Sequence, residues 1–210
     1  MSRYLCVLMT ALILPLAGCS SLTVPGPVGT PVGLGELEDT FDGFWSGVDE
    51  DDAGVMALSG VGDGWLRMAV MEWDDETKRF VAKQMDIWVG QRDGGLMYLH
   101  LPGEQWEGDG DAIPKADASY EQAGTGYLLL LQRSDDDPQK LTVYPPDYDA
   151  WATAVEDGTL EGQANRDENV IDVTVTTEPD AVAALLAEHP AEEYFDIDEP
   201  VQLRRIADLP

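Results

Sequence analysis

Two histidines bound the proton-transfer chemistry that this sequence offers. His100 falls inside the apolar run Leu96–Leu101, and His189 precedes Pro190 at the end of a helical pattern. A serine nucleophile needs a base within hydrogen-bond reach. Ser46 and Ser59 lie in turn-like contexts, and no Gly-x-Ser-x-Gly elbow leads into a helix. His100 therefore reads as a buried, hydrogen-bonded side chain and His189 as a complement to a helix C-terminus. Carboxylates are too abundant to single out an acid–base pair, with 41 Asp+Glu in 210 residues. The runs Asp49-Glu50-Asp51-Asp52 and Asp135-Asp136-Asp137 read as solvated turns. Gly108-Asp109-Gly110-Asp111 clusters the oxygens calcium prefers, but without the loop spacing and distal Glu of a calcium loop. Gly60-Val61-Gly62-Asp63-Gly64 sits between two strand patterns, so it is a hairpin turn and not a phosphate-cradling loop. No catalytic residue, metal site or cofactor is expected, and the chain reads as a non-catalytic protein.

The six tryptophans suggest binding instead. Trp65, Trp73 and Trp88 fall in predicted strands, where they are candidates to line a cavity for a small apolar ligand. The alternative is a core packed solid by its own side chains, as in many small barrels. Trp106 stands apart, isolated among acids in the polar, Gly/Asp-rich segment 102–125, and is a candidate contact point for a partner.

The elements that must position these residues are mostly strands. Val55–Leu58, Trp65–Trp73, Phe80–Val89 and Leu96–Leu101 are short apolar runs separated by four to six turn residues, the pattern of antiparallel hairpins. Tyr127–Leu131 is a strongly apolar strand. Leu141 and Val143, then Ile171, Val173 and Val175, then Val201 and Leu203 alternate with polar residues, as half-buried strands do. Two helices are predicted. Asp147 caps the first, with Tyr148, Trp151 and Val155 on one face and Gly158 as its stop. The second runs from Pro179 to about His189 and presents Val182, Leu185 and Leu186.

The N-terminus carries an address. Arg3 precedes a thirteen-residue apolar stretch from Tyr4 to Leu16, broken by Thr10 alone and too short to span a bilayer. It ends in Leu16-Ala17-Gly18-Cys19, which resembles the lipobox of bacterial lipoproteins. The resemblance implies cleavage of residues 1–18 and lipidation of the Cys19 thiol by a diacylglycerol thioether, usually with an amide-linked acyl chain as well. Two or more chains hold a protein to a membrane stably. Ser20 in place of Asp after the cysteine implies the outer membrane of a Gram-negative cell, facing the periplasm. Cys6 leaves with the signal peptide, so the mature domain has no free thiol, disulfide or thiolate metal site. Residues 19–35 are dense in Pro and Gly and read as the lipidated Cys plus a tether, about 50 Å long when stretched. Residues 36–210 then form a single folded domain.

Loss of Arg3 takes the net charge from −29 to −30. A pI near 4.1 excludes broad affinity for nucleic acid, because phosphate is repelled. The charge is compatible with a basic envelope protein as partner, engaged through acidic loops, which makes an interaction or inhibitor module the alternative function. It is equally compatible with a saline habitat.

About eight short strands in meander order favour a closed barrel, because closure removes exposed edges. Gly43-Phe44-Trp45 stands where calycin barrels, the lipocalin-like families, carry Gly-x-Trp on their first strand. The resemblance implies that Trp45 plugs the barrel floor and that Arg204 or Arg205, on the last strand, packs across its face. The stretch Leu141-Thr142-Val143-Tyr144-Pro145-Pro146-Asp147, its helix and Gly158-Thr159-Leu160-Glu161-Gly162 are also similar to envelope lipoproteins of this type. The fold expected is mainly β, a calycin-like antiparallel barrel with two short helices in the C-terminal half.

Overall fold

Alternation of two residues per repeat runs through a meander that closes on itself. The computed structural model describes residues 20–48, 55–74, 78–92, 95–103, 124–168 and 170–206, with the side chains of 71–74 and 79–82 outside that set. In chain order the strands are β1 (Ser21–Val24), β2 (Thr30–Pro31), β3 (Gly43–Gly47), β4 (Val55–Gly62), β5 (Trp65–Asp74) and β6 (Arg79–Gln91). They continue with β7 (Leu96–Pro102), β8 (Gly126–Arg133), β9 (Lys140–Tyr144), β10 (Gly162–Asp167), β11 (Val170–Val175) and β12 (Val201–Arg205). Three α-helices intervene: α1 (Leu34–Phe41), α2 (Tyr148–Glu156) and α3 (Pro179–Glu188).

Strands β3 to β9 each pair antiparallel with the next, and β12 closes the ring between β9 and β3. The result is a closed antiparallel barrel of eight strands. Its interior is apolar at every second position. Met56 and Leu58 on β4, Leu66, Met68 and Val70 on β5, and Met85, Ile87 and Val89 on β6 all belong to one buried cluster. Met97, Leu99 and Leu101 on β7, Leu129 and Leu131 on β8, and Leu141 and Val143 on β9 complete it with Leu203 and Trp45. Each such side chain contributes roughly 1.5–3 kcal/mol by leaving water.

The excursion between β9 and β12 builds a second layer. The hairpin β10–β11 pairs through β11 with β1 in parallel, and β1 pairs antiparallel with the start of β8. Together with α2 and α3 it covers the outer face of β7 and β8, burying Tyr98, Leu128 and Leu130 against Trp151, Val173, Val182 and Phe195. This explains why β8 reads as continuously apolar: Leu128 and Leu130 face the outer layer while Leu129 and Leu131 face the barrel. Both C-terminal helices have the expected bounds and caps, with Asp147 accepting from the Ala150 N–H at 3.0 Å and Gly158 at φ +83° ending α2.

The tether expected over residues 19–35 is overturned from Ser20 onward. Leu22, Val24, Val28 and Val32 are buried, β1 and β2 are sheet strands, and Leu34 already opens α1. Glycine there permits close backbone approach and not free motion. A Cβ at Gly90 on β6 would lie 1.9 Å from the Val28 carbonyl oxygen, and one at Gly29, at φ +85°, would lie 2.8 Å from the Gln91 carbonyl oxygen. Residues 20–35 are therefore part of the folded body.

Helix α1, which the sequence reading missed, stoppers one barrel end with Leu37 and Phe41. Its first N–H groups lack a side-chain cap on Gly33, and Asp63 takes the Leu34 N–H at 2.9 Å instead.

Candidate functional site

The two barrel ends differ. At the α1 end, β3, β5, β7 and β9 begin and β4, β6, β8 and β12 finish. Trp45 is fully buried there and donates its indole N–H to the Phe41 carbonyl at 2.7 Å. The Arg205 guanidinium lies 4.9 Å from the Trp45 ring centroid and donates to the Thr40 carbonyl at 2.6 Å. Of the two arginines considered for this role, Arg205 holds it. Arg204 alternates outward and reaches Asp137 at 3.6 Å.

The opposite end, here termed the mouth, carries a cleft among the described residues. There β8 changes its neighbour: Thr23 and Val24 of β1 pair with Tyr127 and Gly126, whereas β9 takes over from Leu130. The two partners diverge from one edge, and the fork between them is a cleft of about 490 Å³. Its apolar walls are Leu129, Val143, Pro145, Pro146, Tyr148, Ile171 and Val201. Its rim carries Asp147, Asp149, Asp196 and Glu199, and Ser20 stands at its edge. That volume lies within the range of small-ligand sites. The Ser20 hydroxyl accepts the Ile171 N–H at 2.8 Å, and Ser21 donates to Asp172 at 2.7 Å, which fixes the start of β1 beside the opening.

The rim is negative but locally engaged. Asp147 caps α2, Asp149 pairs with Arg166 of β10, and Asp196 accepts from the N–H groups of Asp198 and Glu199 at 3.0 and 3.3 Å. The hydrogen bonds that Arg166 donates to Glu156, and then to Asp149, raise its pKa above the ordinary value. Three of the most exposed large apolar side chains, Val48, Val55 and Ile197, also lie at this end, beside the mouth termini of β3, β4 and β12. A shallower concavity of about 360 Å³ flanks α2 and shares Asp147 and Asp149 with the cleft.

Trp65 and Trp88 do not line the barrel interior. Trp65 and Trp88 face each other across β5 and β6 at odd register, on the outer surface of the barrel, with ring centroids 5.3 Å apart and planes at 82°. They form a separate buried cluster with Val61. Counting in twos from Leu66 and Ile87 places them outside, so alternation carried the signal that residue type obscured. Trp73 is in register with Phe80 on β6, and its side chain lies outside the described residues. Trp106 and Cys19 also lie outside them, as do the acidic run 49–52 and the Gly/Asp segment 108–111.

His100 is fully buried on the outer face of β7, with Nε2 3.1 Å from the Gly124 carbonyl oxygen. His189 pairs with Glu193 at 2.6 Å, while the cation over the end of α3 is Arg92, which donates to the Leu186 and His189 carbonyls at 2.7 Å each. Asp137 binds within its own turn, accepting the Gln139 N–H at 3.0 Å. Among the described residues no group of three or more His, Cys, Asp or Glu is placed to hold a metal ion. What the arrangement offers is an apolar slot with a carboxylate rim. The cleft residues were missed because none is unusual in type. The Pro145-Pro146 break between β9 and α2 was the available signal, and the fork itself exists only in the topology. No protein-family model matches the chain, and neither a curated protein nor a solved structure matches it.

Proposed function

We propose that this protein is a lipid-anchored, non-catalytic lipoprotein of the cell envelope that receives a small apolar ligand at its barrel mouth. The anchoring half rests on Leu16-Ala17-Gly18-Cys19 behind a short apolar core. Outer-membrane placement, facing the periplasm, follows from Ser20 after the cysteine. The binding half rests on one observation, the cleft between β1 and β9 with its apolar walls. Trp45 under Arg205 and the α1 stopper support the likeness to calycin barrels, which are closed at one end and open at the other. The ligand site is thereby moved from the tryptophans to Leu129, Val143, Ile171 and Val201.

The carboxylate rim favours a neutral or cationic apolar molecule over an anionic one, since a buried or half-buried anion beside carboxylates is repelled. The test has two arms. Membrane fractionation of the full chain against Cys19→Ala reads the anchor, with release of the variant into the soluble fraction expected. Fluorescence of N-phenylnaphthylamine titrated into the soluble Cys19→Ala protein reads the cleft. Enhancement in that protein, and its loss in Cys19→Ala with Ile171→Trp, is expected. Equal enhancement in both would remove the cleft as the site, and recovery of the wild-type chain in the soluble fraction would remove the anchor.

A further inference from the structure

We infer that the occupant of the mouth cleft is one of the acyl chains carried by Cys19 itself, so that the protein can draw part of its anchor out of the bilayer. This rests on the reading of Cys19 as the lipidated residue and goes beyond it by placing the lipid. Ser20 lines the cleft and is locked to β11 through its contact with the Ile171 N–H. Cys19 directly precedes Ser20 in the chain, and consecutive Cα atoms are about 3.8 Å apart, so chains carried on its sulfur start within one residue's reach of the opening. With the first residues after it held in sheet, no tether separates lipid from domain.

Charge selects this occupant. A thioether-linked diacylglycerol and an amide-linked chain carry no charge, and acylation removes the terminal ammonium as well. A free fatty acid or an anionic phospholipid would bring a negative group against Asp147, Asp149, Asp196 and Glu199. The size of the cleft suits one ligand of drug-like volume, so one chain enters while its companions stay in the membrane. Val48, Val55 and Ile197 stand exposed at the same end, which gives a chain leaving the bilayer an apolar border to cross.

The experiment is metabolic labelling of cells expressing the full chain with a diazirine-bearing fatty acid, followed by irradiation of intact membranes and peptide mass analysis. The mass of the N-terminal peptide reads whether Cys19 is lipidated. Adducts reveal where the chain lies. Adducts on peptides containing Leu129, Val143, Ile171 or Val201, reduced several-fold by Ile171→Trp, are expected. A lipidated Cys19 whose label crosslinks to phospholipid alone would overturn the placement while leaving the anchor intact. A Cys19 without lipid would overturn both. Labelled free fatty acid that crosslinks to these peptides in Cys19→Ala, with none from the protein's own chain, would assign the cleft to exogenous lipid and overturn the inference. If the Ile171→Trp protein does not fold, the wild-type adduct map decides alone.

Discussion

Arg205 stands directly opposite Trp45 in the β12–β3 register and covers its indole at 4.9 Å, while the same guanidinium reaches the Thr40 carbonyl at 2.6 Å. One side chain thus joins the closing strand, the first barrel strand and the C-terminal end of α1. The helix has no basic residue of its own in its last turn, and a cation there also complements its dipole.

Removing that cation should loosen the stoppered end. Arg205→Ala should cost about 1–3 kcal/mol in urea unfolding, from the lost cation–π contact and charged hydrogen bond. Arg205→Lys should recover part of this, since an ammonium keeps charge but not the flat fork. Arg204→Ala, on the exposed side of the same strand, should stay within about 0.5 kcal/mol. Equal losses at both positions would deny Arg205 its special role.

The N-terminal segment makes a second, sharper prediction. Gly90→Ala would place a methyl 1.9 Å from the Val28 carbonyl oxygen, a contact that only displacement of residues 28–31 or of β6 relieves. A loss of about 1–3 kcal/mol is expected, together with faster proteolysis between Val24 and Leu34. Gly35→Ala, inside α1 with nothing within 4 Å of the new atom, should instead stabilise by up to about 1 kcal/mol. If Gly90→Ala were harmless, residues 20–33 would be a tether after all.

These two cases show what the chain's letters disclose and what they withhold. The barrel was legible because Leu141 and Val143, and likewise Val201 and Leu203, alternate in a way only a half-buried strand requires. Trp45 was marked by the resemblance of Gly43-Phe44-Trp45 to calycin barrels, which left Arg204 and Arg205 open as its cation until the β12–β3 register chose Arg205. Residues 20–35 were misread because Pro and Gly serve two opposite purposes. They free a linker, and they let one backbone lie against another, as Val28 does on Gly90. Only the partner strand distinguishes them, and it lies some sixty residues away. The cleft was hidden for a related reason. β8 exchanges β1 for β9 along one edge, a fact about three strands distant in sequence, and it moved the candidate site away from the conspicuous Trp65 and Trp88. Arg92 over the end of α3 is another such long-range choice, supplied by the residue after β6 to a helix whose own last turn has no basic residue.

Alkaline pH supplies the last prediction. Tyr194 is buried against Trp151, with ring centroids 5.3 Å apart, and desolvation first, then the charges of Glu193 and Asp157, raise its pKa above the ordinary value. The folded state therefore keeps the phenol proton at pH values where the unfolded chain has lost it. Stability changes with pH in proportion to protons bound by the unfolded minus the folded state, so the sign here is negative. Tyr194 contributes fully below the unfolded-state pKa of about 10, and its contribution falls as pH rises from there through the higher folded pKa. Tyr194→Phe keeps the ring against Trp151 and removes the proton. Its urea midpoint should match the wild type at pH ~8, about two units below the ordinary tyrosine value, and decline less steeply from about pH 9.5 upward. Parallel declines in the two proteins would mean that the Tyr194 phenol ionises as readily folded as unfolded, and that its hydroxyl is wet in the native state.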